Sequence, residues 1–224
     1  MQKNLEPKKI LIWGAGSFGE EILDCLDEIN FIKPTYECIG FLDDDKKKWA
    51  RKLRGISVLG SLSVSKNFPD AQLISALTNN KNFWERETLF SNIKKNPNQF
   101  ETIIHPSAVI SKTASIGAGT VISSNVTIGP NTKIGNYVVV LSNSVINHDV
   151  RVKNYSIITS GVNISGNTTV GSCCYLGSGS TIRENITIED CCLIGMGSII
   201  LTNVSKNSVM VGNPAKKIRA VVES

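Results

Sequence analysis

The sequence is poor in aromatic residues and keeps most of them at one end. Phe, Trp and Tyr make up 6% of the 224 residues, and every Phe and Trp lies before residue 101. Only Tyr137, Tyr155 and Tyr175 follow, so the second half must build its core without large rings, and two unlike domains are expected. Histidine is scarce, at two residues, and the six cysteines (Cys25, Cys38, Cys173, Cys174, Cys191, Cys192) form no CxxC, so no metal site is expected. No apolar run approaches the roughly 20 residues that span a bilayer. No charged-then-apolar leader opens the chain either, and a soluble, cytoplasmic protein with reduced thiols is expected. Within a formal charge of +5 no same-sign run exceeds three residues, and no stripe of Arg alternates with aromatics. Nucleic acid is therefore not the expected partner; a small anion suits this charge better.

What is present begins with a nucleotide-cradling pattern. Lys8-Lys9 lead into Ile10-Leu11-Ile12-Trp13, then Gly14-Ala15-Gly16-Ser17-Phe18-Gly19, then Ile22, Leu23, Leu26 and Ile29 at helical spacing. That order predicts strand, glycine turn and helix, a turn whose free N–H groups face an anion. A second strand, Cys38 to Leu42, ends in Asp43-Asp44-Asp45, where a Rossmann-type unit places a ribose-binding acid; a tight turn beside a solvated acidic loop is the plainer alternative. A third strand over Gln72 to Leu77 and a helix from about Lys81 to Lys95 bring the count to about three βα units. That is one mononucleotide half, with no room for the second. Arg86 is placed on the solvent face of the last helix, with a phosphate contact as the alternative.

From Ile110 to Ile200 an aliphatic residue recurs every six positions, sixteen times without a gap. By chance such a run is expected on the order of once in a billion, so a repeat is required. Two residues before each hit stands Ala, Ser, Thr, Cys, Val or once Ile186, so one short strand per hexad points an aliphatic and usually a small residue inward. Three hexads per coil make a triangular β-solenoid in which positions 18 apart stack. Cys174 and Cys192 then fall inside, whereas Cys173 and Cys191 share a corner with Tyr137 and Tyr155, and Tyr175 stands on the outward column. Val121, Val139, Ile157, Tyr175 and Leu193 form one outward apolar column, expected to be an oligomer interface, with cover by the C-terminal tail as the alternative.

The chemistry is expected in the second half. His105 precedes Pro106 at the junction, and His148 occupies a turn between strands, where an imidazole can take a proton from an attacking amine or hydroxyl. One coil on, Gly166 stacks on His148 and leaves a backbone N–H for a developing oxyanion, while Asp149 beside the imidazole orients it or is merely a solvated turn residue.

Gly14 to Gly19, Phe41-Leu42-Asp43-Asp44, Ile104 to Ala108, Asn147-His148-Asp149 and Val211 to Arg219 together resemble the sugar O- and N-acyltransferases of the sialic-acid O-acetyltransferase and bacillosamine acetyltransferase group. The resemblance covers nearly the whole chain. It implies a Rossmann-like nucleotide-sugar-binding domain over 1–104, a left-handed parallel β-helix of hexapeptide repeats over 105–212 and a tail over 213–224. It also implies acetyl-CoA as donor, a nucleotide-linked 4-amino-deoxysugar as acceptor and a homotrimer through the Val121 column. By motif position His148 looks like the general base and Asp149 its partner, and Gly166 looks like the donor to the thioester carbonyl. Gly16, Ser17, Phe18, Asp43 and Asp44 match the sugar-nucleotide side; Ile157, Ser178, Met196 and Lys216 match the CoA side. Relatives usually carry His in place of Phe18 and Ile157, and often Asn in place of Leu141, so contacts to sugar and pantetheine are expected to differ. The rival expectations are O-acetylation of a sialic or nonulosonic acid, a nicotinamide-dependent enzyme built on the glycine turn, and a solenoid scaffold without catalysis.

Overall fold

The computed structural model describes residues 6–91 and 99–222, which divide into two compact units. One runs to Leu77 and is rejoined by the stretch ending at Glu101; the other takes the chain from Thr78 and again from Thr102. The units thus interleave along the sequence, and residues 78–91 belong with the repeats.

The first unit is Rossmann-like, around a five-stranded sheet in the order β3-β4-β2-β1-β5. Its strands are β1 (Lys8–Trp13), β2 (Tyr36–Leu42), β3 (Lys52–Leu53), β4 (Ile56–Gly60) and β5 (Gln72–Ser75), all parallel except β3 against β4. Ile10, Leu11 and Ile12 are each 0% exposed, as a central strand covered on both faces requires. Helix α1 (Ser17–Ile32) buries Gly19, Ile22, Leu23, Cys25 and Leu26. It is the unit's one α-helix among the described residues, so the expected series of three βα units reduces to one; 3₁₀ turns carry the chain between the later strands. Because β2 and β5 flank β1 on opposite sides, the sheet switches direction at β1, and the glycine turn sits at that carboxyl end.

The second unit is a left-handed parallel β-helix. Its two-residue strands stack into three sheets with each strand paired to the one 18 residues on, as Val139–Val140 pairs with Ile157–Ile158. The inward aliphatics from Ile122 onward are all but unexposed, and the small positions Thr120, Thr132, Ser144, Ser156, Thr168, Ser180 and Ser198 are each 0% exposed. Hydroxyls are tolerated there because most have a target: Thr132 donates to the Asn147 carbonyl at 2.6 Å, Ser144 to Thr159 at 2.9 Å and Ser156 to Gly171 at 2.7 Å. The Cys174 thiol does the same toward Glu189 at 3.1 Å. Cys174 and Cys192 lie inside as expected, and all six cysteines are free thiols. Ser208–Gly212 and Ala215–Ala220 close the eight-stranded sheet as an antiparallel hairpin.

Corner residues adopt the left-handed conformation, and Asn fills many of these positions: Asn125, Asn131, Asn143, Asn167 and Asn185 all have φ near 60°. One corner departs from this, with Tyr137, Tyr155, Cys173 and Cys191 at φ between 51° and 64°. A bulky residue there costs roughly 1–2 kcal/mol, which packing must offset. The Tyr137 and Tyr155 rings stack at 5.4 Å, and Phe90 packs 4.5 Å from the first and 5.7 Å from the second.

Phe90 belongs to α2 (Arg86–Ser91), which starts later than the helix expected from about 81 to 95 because Phe83–Glu85 form a 3₁₀ turn; residues 92–95 lie outside the described residues. Arg86 is not on a solvent face but 3% exposed, donating from Nε to the Tyr155 carbonyl and from Nη2 to the Tyr137 carbonyl, both at 2.8 Å. Burial lowers its guanidinium to about 10. Phe83, just before α2, lies 5.8 Å from the Tyr175 ring. Most of the expected interface column is hidden: Val121, Val139 and Ile157 are 2%, 1% and 0% exposed within the single chain, whereas Tyr175 and Leu193 stay partly exposed. The face expected for a trimer is therefore covered within the chain at these three positions, and Phe83 packs against it at Tyr175.

Candidate active site

His148 and Asp149 are adjacent in sequence yet project together, because Asp149 takes the left-handed corner conformation, with φ of 58°. Around them the backbone is fixed from neighbouring coils. The Thr132 hydroxyl holds the carbonyl of Asn147, and the Asn147 amide donates to the Ile164 carbonyl at 2.9 Å. The His148 carbonyl accepts from Asn167 N–H at 3.1 Å.

His148 Nδ1 lies 2.9 Å from Asp149 Oδ2, and both side chains are about half exposed. The other carboxylate oxygen, Oδ1, accepts from the Asn131 amide at 3.2 Å. Those two hydrogen bonds, His148 first and Asn131 second, hold the Asp149 carboxyl below the ordinary carboxylate range. An ionised carboxylate can only accept, so in the neutral imidazole Nδ1 carries the proton and Nε2 is left with its lone pair. The ring rests against Gly166, where a Cβ would come within 2.5 Å of Cε1 and 2.6 Å of Nε2. No hydrogen bond within the described residues engages the Gly166 N–H. A base with an open nitrogen thus stands beside an open backbone donor, the pair that acyl transfer to a nucleophile needs.

The structure brings together His148, Asp149 and Gly166 of the expected set. Ile157 is excluded from ligand contact because its side chain is fully buried in the chain. Ser178 is half-buried and donates to Thr159 Oγ1 at 3.1 Å, Met196 is 78% exposed, and Lys216 is exposed on the terminal hairpin. His105 is 8% exposed and its Nδ1 faces the Ser107 hydroxyl at 2.8 Å, a turn contact. Asn131 was not singled out in the sequence, although the 18-residue register places it directly one coil before Asp149.

In the first unit, Gly14 has φ of 118° and Gly19 admits no side chain because a Cβ would collide with the Gly14 carbonyl. Gly16 caps α1 with open space above it, and Ser17 is exposed, with Phe18 half-buried. Asp43 turns back onto this loop: Oδ2 accepts from Ala15 N–H at 2.9 Å and from Lys48 Nζ at 2.8 Å, and Oδ1 accepts from Asp45 N–H at 3.0 Å. Burial raises Asp43, but Lys48 and the two N–H groups outweigh it and hold the carboxyl below its ordinary value. Asp43 therefore shapes the glycine turn, whereas Asp44 is exposed with one oxygen on Leu62 N–H. Among the described residues no group of three or more His, Cys, Asp or Glu could hold a metal ion.

Residues 99–224, more than half of the chain, match the family of the GMPPB C-terminal domain. The chain belongs to that family. His148, Asp149 and Gly166 all lie in its GMPPB C-terminal domain, and the glycine turn lies within residues 9–92, which match the PglD N-terminal domain. The PglD match bears out the resemblance drawn from the sequence motifs. No curated protein matches the chain. Among solved structures, the acetyltransferase domain of PglB from Neisseria gonorrhoeae FA1090 matches with a TM-score of 0.81 at 22% identity, covering 94% of this chain and 100% of that one. That domain is also solved in complex with acetyl coenzyme A. A histidine-to-asparagine mutant of perosamine N-acetyltransferase from Caulobacter crescentus, in complex with CoA and GDP-perosamine, matches with a TM-score of 0.81 at 20% identity, covering 93% and 96%. WeeI from Acinetobacter baumannii AYE matches at 0.58 and 25%, covering 93% and 99%. The chain thus shares its fold with an acetyltransferase domain and a perosamine N-acetyltransferase over nearly the full length of each.

Proposed function

We propose that the protein transfers an acetyl group from acetyl-CoA to the amine of a nucleotide-linked 4-amino-deoxysugar, with His148 as general base. The observation that carries this reading is the His148 imidazole, tied through Nδ1 to an ionised Asp149 and presenting Nε2 beside the unengaged N–H of Gly166. The amine nitrogen attacks the thioester carbonyl while Nε2 takes its proton, and the Gly166 N–H stabilises the oxyanion of the tetrahedral intermediate. Collapse expels the CoA thiolate, which recovers the proton from the imidazolium. No covalent enzyme intermediate is needed.

Complexes of a structural relative with CoA and GDP-perosamine support the choice of both substrates. Gly16, Ser17, Phe18 and Asp44 are the residues proposed for the nucleotide sugar, and Ser178, Met196 and Lys216 for CoA. Asp43 acts on the former group only through the turn it braces. The trimer that the family resemblance implies would use a face other than the Val121 column.

The test is a panel in which purified protein and acetyl-CoA are offered nucleotide-linked aminosugars, the same sugars without the nucleotide, and nonulosonic acids, with products read by mass spectrometry. Acetylation of the amine, strongest on the nucleotide-linked acceptors, is expected. Acetylation of hydroxyls on nonulosonic acids alone would replace this reading with O-acetyl transfer, and NAD(P) binding by calorimetry without acetyl-CoA binding would remove both.

A further inference from the structure

We propose that Asn131 is a positioning residue for acyl transfer, fixing which oxygen of Asp149 faces the His148 imidazole. This rests on the reading of His148 as the base. Asn131 stands one coil before Asp149 at the same corner, and both residues are in the left-handed conformation with φ of 58°. Its amide donates to Oδ1 at 3.2 Å, which leaves Oδ2 as the atom 2.9 Å from His148 Nδ1. A carboxylate held by one oxygen cannot rotate freely about its terminal bond, so the imidazole keeps one orientation and one tautomer. Asn131 is itself anchored, its backbone N–H donating to Thr113 Oγ1 at 2.9 Å one coil earlier. The result is a column from Thr113 through Asn131 and Asp149 to the base.

A corner conformation alone would account for asparagine at this position, and Asn125 shows what that alone looks like. Asn125 has φ of 56°, and its backbone N–H donates to the Ser107 hydroxyl at 3.0 Å, yet it stands at another corner, away from the His148 column. Asn131 differs by aiming its amide at Asp149. His148 is the one ionisable side chain among those that shift the Asp149 carboxyl.

The experiment compares N131G, N131D, the matched control N125G and H148A in the full chain. Glycine keeps the left-handed backbone and removes the amide. N131G is expected to lower kcat/KM by about tenfold while melting with N125G, since lost orientation acts on rate and not on fold. N131D replaces the donor with a second carboxylate beside Asp149; the added negative charge makes the imidazole more basic and moves the acidic limb of the kcat/KM profile to higher pH. Rates and pH profiles of N131G and N131D equal to those of N125G, with H148A inactive, would overturn the proposal and leave the base in place. Full activity in H148A would overturn the reading beneath it and the proposal together.

Discussion

The imidazole of His148 lies against the backbone of Gly166 so closely that a methyl group there would sit 2.5 Å from Cε1. Gly166 is not among the residues with positive φ, so its backbone conformation does not demand glycine; the ring above it does. Gly166→Ala should therefore push the imidazole off its place without straining the coil. The expected outcome is a loss of about a hundredfold in kcat. The melting temperature should stay within about 4 °C of wild type, because His148 is exposed and free to move aside. Acetyl-transfer kinetics and circular dichroism on one preparation check both halves.

The Asp43 carboxylate ties the glycine turn to the Lys48 loop through three hydrogen bonds. Its carboxyl is held below the ordinary value, so its contribution to stability is fully present above the unfolded carboxylate pKa of about 3.9 and disappears as the pH falls through the folded value. Asp43→Asn should cost about 1–2 kcal/mol at neutral pH, where the charge-assisted bond to Lys48 is lost. The gap between variant and wild type should close below about pH 4. Urea titrations followed by fluorescence, at pH 7 and pH 3, measure it.

Arg86 holds α2 to the tyrosine corner by donating to two backbone carbonyls, and its guanidinium lies 5.3 Å from the Phe90 ring. Arg86→Ala removes those donors and leaves buried carbonyls without them, at a cost of about 2–4 kcal/mol. Arg86→Lys should recover only part, because one ammonium cannot span both carbonyls with the fork geometry of a guanidinium. Thermal unfolding monitored through Trp84, beside Phe83 at 5.2 Å, reports on this contact.

The same contact marks where sequence reading stops. The hexads, the inward and outward positions, the buried pair Cys174 and Cys192 and the stacking of Gly166 on His148 were all legible, because each follows from one local period and an offset of 18. The late tyrosines obey it too: their rings contact one another, Phe83 and Phe90, and none belongs to the prism core. The docking of the Phe83–Phe90 segment on Tyr175 and the tyrosine corner was not legible, since it comes from far earlier in the chain and its helical spacing does not say where it docks. Arg86 was assigned to solvent for the general reason that arginine is seldom buried, and two carbonyls specific to this fold override that rule. Asp43 matches the sugar-nucleotide side by motif, whereas in the fold its carboxylate is engaged by Ala15, Asp45 and Lys48, partners that the motif does not specify. Ile157 was assigned to CoA by position alone, and burial removes it.

The central claim is that His148 Nε2 takes the proton of the attacking amine. Its most direct test is kcat/KM for acetyl transfer to a nucleotide-linked aminosugar by wild type and His148→Ala, with acetyl-CoA affinity measured by calorimetry on both. The account predicts a loss of about a hundredfold or more with acetyl-CoA binding kept. A variant that transfers acetyl groups within about tenfold of wild type would contradict it.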